Sequence, residues 1–280
     1  MAAVKPQKGL MSILEHILRD KTAEVAERRR RLPLAELRRL VQDIPPPRGF
    51  LAALRGHGAG SETSARVIAE VKKASPSRGV IRPDFDAVAI AKTYAANGAA
   101  ALSVLTEPEF FRGSLKNLRD ARSTVKVPVL RKDFIFDPWQ VWETRANDAD
   151  SFLLIVGTLS DAQLKELLSL GRELGMEPVV EVHTREELDR AFAVEARIIG
   201  VNNRNLKTLE IRTDTSFELI DAIPDECVAI SESGIRTHAE LLRLRAAGFD
   251  AFLIGTRLMI STDPATVLGE LLGRAAAQGK

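Results

Sequence analysis

The 280-residue chain contains one cysteine, one tyrosine and two tryptophans, and its net charge is only +2 at pH 7. A lone thiol cannot build a disulfide framework, and Cys227 falls in an apolar, strand-like run that suits an inert buried thiol. No stretch of about 18 apolar residues occurs, so no membrane span is expected. The N-terminus lacks the continuous apolar core of an export signal, which makes the cytoplasm the expected compartment. So small a net charge gives no reason to expect nucleic acid or an anionic membrane as partner. Neither G-x-G-x-x-G nor G-x-x-x-x-G-K-S/T is present, which removes the fingerprints of dinucleotide and P-loop sites. His183 has no second histidine at ligand spacing, and His16, His57 and His238 fall in or beside helices and loops. No metal site is therefore expected, and all four histidines read as structural. What is present is a balanced composition, 45% hydrophobic and 28% charged, which allows a large core and argues against disorder.

Leu10, Ile13, Leu14, Ile17 and Leu18 recur at helical spacing behind Ser12, a candidate cap, and predict a helix of about two dozen residues. It runs into Arg28-Arg29-Arg30-Arg31. That run reads as a nucleic-acid contact or as a solvated helix end suited to the C-terminal dipole, and the lack of interleaved aromatics favours the second. A short helix near 33–41 stops before Pro45-Pro46-Pro47, another follows Arg48-Gly49-Phe50, and 56–64 is a Gly- and Ser-rich loop. From Val67 the chain repeats apolar strand, turn and amphipathic helix. Strands are expected near 67–71, 101–105, 127–131, 152–156, 178–182, 197–201, 227–231 and 251–254, with helices near 84–97, 115–123, 138–147, 161–174, 185–193, 214–222, 237–247 and 264–276. Eight such units in series predict one α/β domain, a closed (β/α)8 TIM barrel over 65–280, with residues 1–64 forming an N-terminal helical extension that caps one of its ends.

In the first unit, VIAEVKKASPSRG, strand alternation puts Glu70 and Lys72 on one face. Alone, this pair reads as a surface ion pair, and SPSRG as a static turn or a mobile segment over the mouth. The other strand ends repeat the pattern. Thr106, Glu107, Phe110 and Phe111 follow the second strand and Arg131, Lys132 and Asp133 the third; Glu181 and His183 follow the fifth, and Asn202, Asn203 and Arg204 the sixth. Ser231, Glu232, Ser233 and Gly234 end the seventh, and Gly255 and Thr256 the eighth. Barrels carry their chemistry at this end, so the shared position predicts a catalytic mouth. Gly beside a hydroxyl residue in both SESGI and IGTRL fits a phosphate, with Lys72 or Arg204 to neutralise it. Glu70, Lys72, Lys132, Glu181 and Glu232 form an ionisable ring whose crowding should drive pKa values apart, as acid–base chemistry requires. Ser231 has no triad and Cys227 no neighbouring base.

Taken together, IAEVKKASPSRG, SVLTEPEFFRGS, VPVLRKDFI, VEVHT, GVNNRNLKTLEI, AISESGI and FLIGTRLM resemble the indole-3-glycerol phosphate synthase family of tryptophan biosynthesis over nearly the whole chain. The resemblance implies a metal-free, cofactor-free barrel lyase. It would close 1-(2-carboxyphenylamino)-1-deoxyribulose 5-phosphate to indole-3-glycerol phosphate with loss of carbon dioxide and water. It implies Lys132 as general acid, Lys72 as partner of the anthranilate carboxylate and second proton donor, and Glu181 as base with Glu70 in support. Asn202 would orient the sugar hydroxyls and Glu232 would order the lysines and Asn202. Phe111, Phe134 and Leu206 would form the anthranilate slot, and Ser75, Arg204, Ser233, Gly234, Gly255 and Thr256 would carry the phosphate. Other tryptophan-pathway enzymes are candidate partners. One departure is Asn147-Asp148, where the pattern has a Gly before Ala149-Asp150; Asn147 is expected to take the left-handed conformation there. Two rival readings are a Schiff-base phosphosugar aldolase with Lys132 as nucleophile and a non-enzymatic phosphometabolite sensor, for which the ionisable pairs serve no purpose.

Overall fold

A computed structural model describes residues 12–55 and 65–274. Leu10, the loop at 56–64 with His57, and the last residues assigned to the final helix lie outside the described residues. Helix α1 (Ile13–Arg31) begins at the expected cap, where Ser12 closes a capping box with Glu15. Its basic end is neutralised locally: Arg28 pairs with Glu24 and Glu143, Arg29 with Asp137, and both Arg30 and Arg31 with Glu27. Helices α2 (Leu34–Val41) and α3 (Phe50–Leu54) complete the extension. Leu37 and Val25 pack on Trp139, whose indole donates to Leu32 O.

Eight parallel strands then close a barrel: β1 (Arg66–Val71), β2 (Ala101–Leu105), β3 (Val129–Lys132), β4 (Ser151–Ile155), β5 (Val179–Val182), β6 (Ile198–Asn202), β7 (Val228–Glu232) and β8 (Ala251–Ile254), with β8 pairing back to β1. Between them run α4 (Ala87–Ala96), α5 (Leu115–Thr124), α6 (Pro138–Ala146), α7 (Asp161–Glu173), α8 (Arg185–Ala193), α9 (Asp214–Ile220) and α10 (His238–Ala246); after β8 come α11 (Thr256–Met259) and α12 (Pro264–Leu271). Among the described residues no helix is long and apolar enough to cross a membrane. SPSRG is a small hairpin, Ala74–Ser75 against Gly79–Val80. Strand β3 starts after Pro128, which has no N–H to give the ladder, and extends to Lys132 through its pairing with Leu105. At the α6 terminus it is Asp148, not Asn147, that takes the left-handed conformation (φ 58°). Asn147 keeps near-helical angles because its side chain bonds back to Glu143 O.

Alternation sorts the strands into two faces. Val67, Leu102, Val129, Leu154, Val180, Ile199 and Phe252 belong to the cluster shared with the helices. Ile68, Ala101, Leu130, Leu153, Val179, Ile198, Val228 and Ala251 form a second cluster with Phe50 and Leu54 of α3. Further along this second face come Glu70, Lys132, Glu181, Asn202 and Glu232, so the polar mouth is the continuation of an apolar barrel interior.

Helix α1 is tied to that mouth by charge. Lys21, only 2% exposed, lies 3.0 Å from Asp133 and 2.7 Å from Glu24. Asp133 also meets Arg131 at 3.0 Å and accepts a hydrogen bond from Thr106 at 2.6 Å, and Arg131 reaches Glu143 at 3.0 Å. Burial alone would raise the Asp133 pKa, but Lys21 and Arg131 hold it at about 2, below its ordinary 3.8. A depressed carboxylate pKa adds stability that is present above about pH 4 and is lost as pH falls towards 2, on the order of 2 kcal/mol. Replacing Lys21 by Met should lower unfolding stability at pH 7 by about 3 kcal/mol and shrink this acid-dependent loss. Arg30→Ala, at the exposed helix end, should change stability by less than about 0.5 kcal/mol in the same denaturant titration.

Candidate active site

The C-terminal ends of the strands surround a cavity of about 440 Å³ lined by Glu70, Lys72, Lys132, Glu181, Asn202 and Glu232, among others. Lys72 Nζ bonds to Glu70, its neighbour on the inner face of β1. Across the mouth, Lys132 Nζ donates to Glu181 Oε2 at 2.8 Å and also to Glu232. Asn202, on the neighbouring strand, also favours the Glu181 carboxylate. All three glutamates are buried, and burial opposes each of their charges. Burial likewise works to lower the Lys132 pKa, but Glu181, Glu232 and Glu70 outweigh it and keep the ammonium above its ordinary value. For Glu181, burial is outweighed by Lys132 and His183 and the pKa is lowered. For Glu232, burial prevails against Lys132, with the charge of Glu181 adding to it, and the pKa is pushed up to about 7. Two carboxyls that share one lysine are thus driven apart, so a proton carrier and an ionised carboxylate coexist at neutral pH.

Two glycines make room for these carboxylates. A Cβ at Gly255 would stand 1.9 Å from Glu70 Oε2, and one at Gly200 would stand 2.4 Å from Glu232 Oε1. Gly255 was expected only at an anion site; Gly200 was missed, although a glycine inside the apolar run IIGVNN marks a close approach.

Ser233, Gly234, Gly255, Thr256 and Arg204 line the same cavity, joined by Arg78 from SPSRG, which the sequence reading did not single out. Ser233 and Gly234 are both left-handed (φ 67° and 89°), a strained turn for a serine. Asn203 holds it, donating from Nδ2 to Ser233 O at 3.0 Å. Ser75 lies instead in an adjoining hollow with Lys72, Arg204 and Thr256, walled by Ile13, Leu14 and Ile17 of α1. Phe111, Phe134 and Leu206 line both spaces, and the two phenylalanine rings lie 6.5 Å apart at 45°. The loop that carries Phe111 is fixed by Glu107, whose carboxylate accepts from the backbone N–H of Glu109, Phe110 and Phe111. The sequence marked Glu107 and Asn203 as strand-end polar residues but gave them no such tasks. The α1 wall was missed because helical spacing shows that a face is apolar without showing what it covers. Cys227 precedes β7, half-buried, with its thiol pKa raised by burial.

A closed barrel whose mouth sets a shared lysine–carboxylate cluster beside an aromatic slot is an acid–base enzyme of the (β/α)8 class. Barrels of the same fold include 3-hexulose-6-phosphate synthase from Salmonella typhimurium (TM-score 0.59, 11% identity, covering 74% of this chain and 96% of that one). Another is N-acetylmannosamine-6-phosphate 2-epimerase from Clostridium perfringens (TM-score 0.54, 14% identity, covering 72% and 93%). At such identities the likeness concerns fold alone. Sequence comparison goes further: the family model for indole-3-glycerol phosphate synthase matches residues 14–271. Enzymes of that name from Dehalococcoides mccartyi and Acidithiobacillus ferrooxidans are 52% and 47% identical over 264 and 262 residues, covering 93% and 94% of this chain and 100% and 99% of theirs. The chain belongs to the indole-3-glycerol phosphate synthase family, decarboxylating lyases of tryptophan biosynthesis.

If the glycines exist to admit carboxylates, Gly200→Ala and Gly255→Ala should each lower kcat by about 10²-fold, the scale of a catalytic group displaced by an ångström. Unfolding midpoints measured beside the kinetics should stay close to the parent's; an unchanged kcat would refute the packing argument.

Proposed function

We propose that Lys132 and Glu181 divide the proton transfers in closing 1-(2-carboxyphenylamino)-1-deoxyribulose 5-phosphate to indole-3-glycerol phosphate. The observation that carries this reading is the Lys132 ammonium, held between Glu181 and Glu232 on the wall of the cavity that also holds the aromatic slot. Attack of the carboxylate-bearing ring carbon on the ribulose carbonyl leaves charge on the ketone oxygen. A fixed ammonium stabilises that charge and then donates its proton. Lys72, bonded to Glu70, partners the anthranilate carboxylate until it leaves as carbon dioxide, and donates in the dehydration. Glu181, kept ionised, takes the aniline proton as the hydroxyl departs as water and gives it back to nitrogen as carbon 1 of the ribulose chain loses a proton to complete the indole, with Glu70 in support. Asn202 orients the sugar hydroxyls, and Glu232 orders Lys132.

Phe111, Phe134 and Leu206 hold the anthranilate ring. Ser233, Gly234, Gly255 and Thr256 take the phosphate, with Arg204 as its cation and Ser75 at the edge nearest α1. Burial brings Arg204 below the usual guanidinium range against the pull of Glu70, and an incoming dianion would compensate that cost.

The Schiff-base alternative needs Lys132 as a free amine, whereas its carboxylate neighbours favour the ammonium. Borohydride with substrate should therefore leave no covalent adduct on Lys132. Lys132→Ala and Glu181→Gln should each abolish most turnover, about 10²-fold or more, while inorganic phosphate still competes for the site. Turnover unaltered in both would falsify the assignment. Thr256→Val should instead raise KM with little change in kcat and weaken inhibition by inorganic phosphate; a kcat effect alone would remove Thr256 from the anion site.

A further inference from the structure

Asn203, Ser216 and Ser231 lie buried behind the Ser233-Gly234 turn and take no part in the reaction as assigned. They come from three elements: the end of β6, the start of α9, and β7. Asn203 Nδ2 donates to Ser233 O at 3.0 Å and to Ser231 Oγ at 3.3 Å. Its Oδ1 accepts from the Ser216 backbone N–H at 3.1 Å and from the Ser216 hydroxyl at 2.9 Å. A backbone N–H can only donate and a carbonyl oxygen can only accept, so Ser216 and Ser233 between them fix which way round the amide sits. The two serine hydroxyls are 2.8 Å apart. Since the Ser216 proton goes to Oδ1, Ser231 supplies the proton between them, and every donor and acceptor of the Asn203 side chain is used. The amide has no freedom to turn away from Ser233.

The residue so held keeps a conformation that a serine does not favour. Ser233 has φ 67° beside Gly234 at φ 89°; glycine tolerates this region, whereas serine is strained there. The backbone N–H groups of Ser233 and Gly234 have no acceptor among the described residues, and both residues line the cavity beside Gly255 and Thr256. The chain leading into α9 closes on the turn as well, since a Cβ at Gly234 would stand 2.8 Å from Thr213 Cγ2 and 2.9 Å from Ile211 Cγ2. If Ser233 relaxed, those N–H groups would be redirected, and a phosphate would have to restore the turn in order to bind. That requirement weakens apparent affinity in proportion to the fraction of molecules left in the competent conformation. It bears on substrate and transition state alike, so it raises KM and leaves kcat unchanged.

We propose that Asn203, Ser216 and Ser231 are the positioning network of the phosphate site, holding Ser233 left-handed so that the turn is set for the dianion before it arrives. Asn203 applies the constraint through Ser233 O, and the two serines keep its amide aimed. None of the three lines the cavity; each acts through Ser233. Recognition of the phosphate therefore depends on hydrogen bonds made one layer behind the cavity wall. This rests on the anion site assigned above, and the test separates the two.

Steady-state kcat, KM and the inhibition constant of inorganic phosphate should be measured for the parent, Asn203→Ala, Ser216→Ala, Ser233→Gly and the double variant Asn203→Ala/Ser233→Gly. Asn203→Ala should raise KM and the phosphate constant together by about tenfold, with kcat within about twofold, and Ser216→Ala should raise both by about threefold. In the Ser233→Gly background no strained residue remains to be held, so adding Asn203→Ala should raise both constants by no more than about threefold. An undiminished effect in that background would reduce Asn203 to a structural role and overturn the network. So would a loss of kcat with phosphate inhibition unchanged. Phosphate that competed equally well in the parent and in every variant would overturn the network while leaving the anion site intact. Phosphate that failed to compete in the parent would remove the anion site and the network with it. If Asn203→Ala does not fold, Ser216→Ala measured alone and combined with Ser233→Gly decides.

Discussion

Lys132 can look into the barrel because its two neighbours look out. In the run Arg131-Lys132-Asp133, strand alternation sends the middle side chain to the mouth and the flanking pair towards the helices. Arg131 and Asp133 are almost fully buried, which is tolerable only because each finds partners: Thr106, Thr144, Glu143 and Lys21. Slipping β3 by one residue would exchange the two sets, putting one inward lysine among the outward acids and two outward charges into the cavity. Lys132 is therefore fixed by a register that the buried ion pairs of Arg131 and Asp133 enforce from behind. The pairs contribute this specificity even where their net stabilisation, after desolvation, is small.

The same alternation explains how closely the carboxylates approach one another. Glu70, Glu181 and Glu232 share an inner face with the buried Ile68, Val179 and Ile230, so the acidic ring sits at the edge of the apolar interior. Low polarity strengthens each pairing with lysine and makes it costly for all three carboxylates to stay ionised. Glu232, whose Oε1 finds no hydrogen bond among the described residues, carries that cost as a raised pKa. Glu181, on which His183 acts as well as Lys132, does not. Placement within a few ångströms is what drives the two carboxyls' pKa values apart.

The barrel itself was legible because each strand is a short apolar run ending in polar residues, and each helix is amphipathic. Boundaries moved by a few residues, at β3 because Pro128 has no N–H to give, while Ser12 capped α1 as expected. The ring of Glu70, Lys72, Lys132, Glu181 and Glu232 was legible from strand ends alone. What stayed hidden were relations between distant strands. Gly200 reads as an unremarkable residue in an apolar run until Glu232, from the next strand, occupies the space its side chain would need. The place of His183 between Glu181 and Glu187 likewise appears only once β5 and α8 are folded together. The apolar face of α1 announces that it covers something, but the aromatic wall of Phe111 and Phe134 lies about a hundred residues further along.

The tether between Lys21 and Asp133 also sets an order of events during synthesis. Helix α1 leaves the ribosome before β3, carrying a lysine whose buried partner is translated more than a hundred residues later. Until β3 emerges, Lys21 has only Glu24 beside it on the same helix, and Ile17 has no mouth to cover. Helix α1 must therefore wait for the middle of the barrel before it can dock, and a chain released short of β3 would keep an amphipathic helix with nothing to close over.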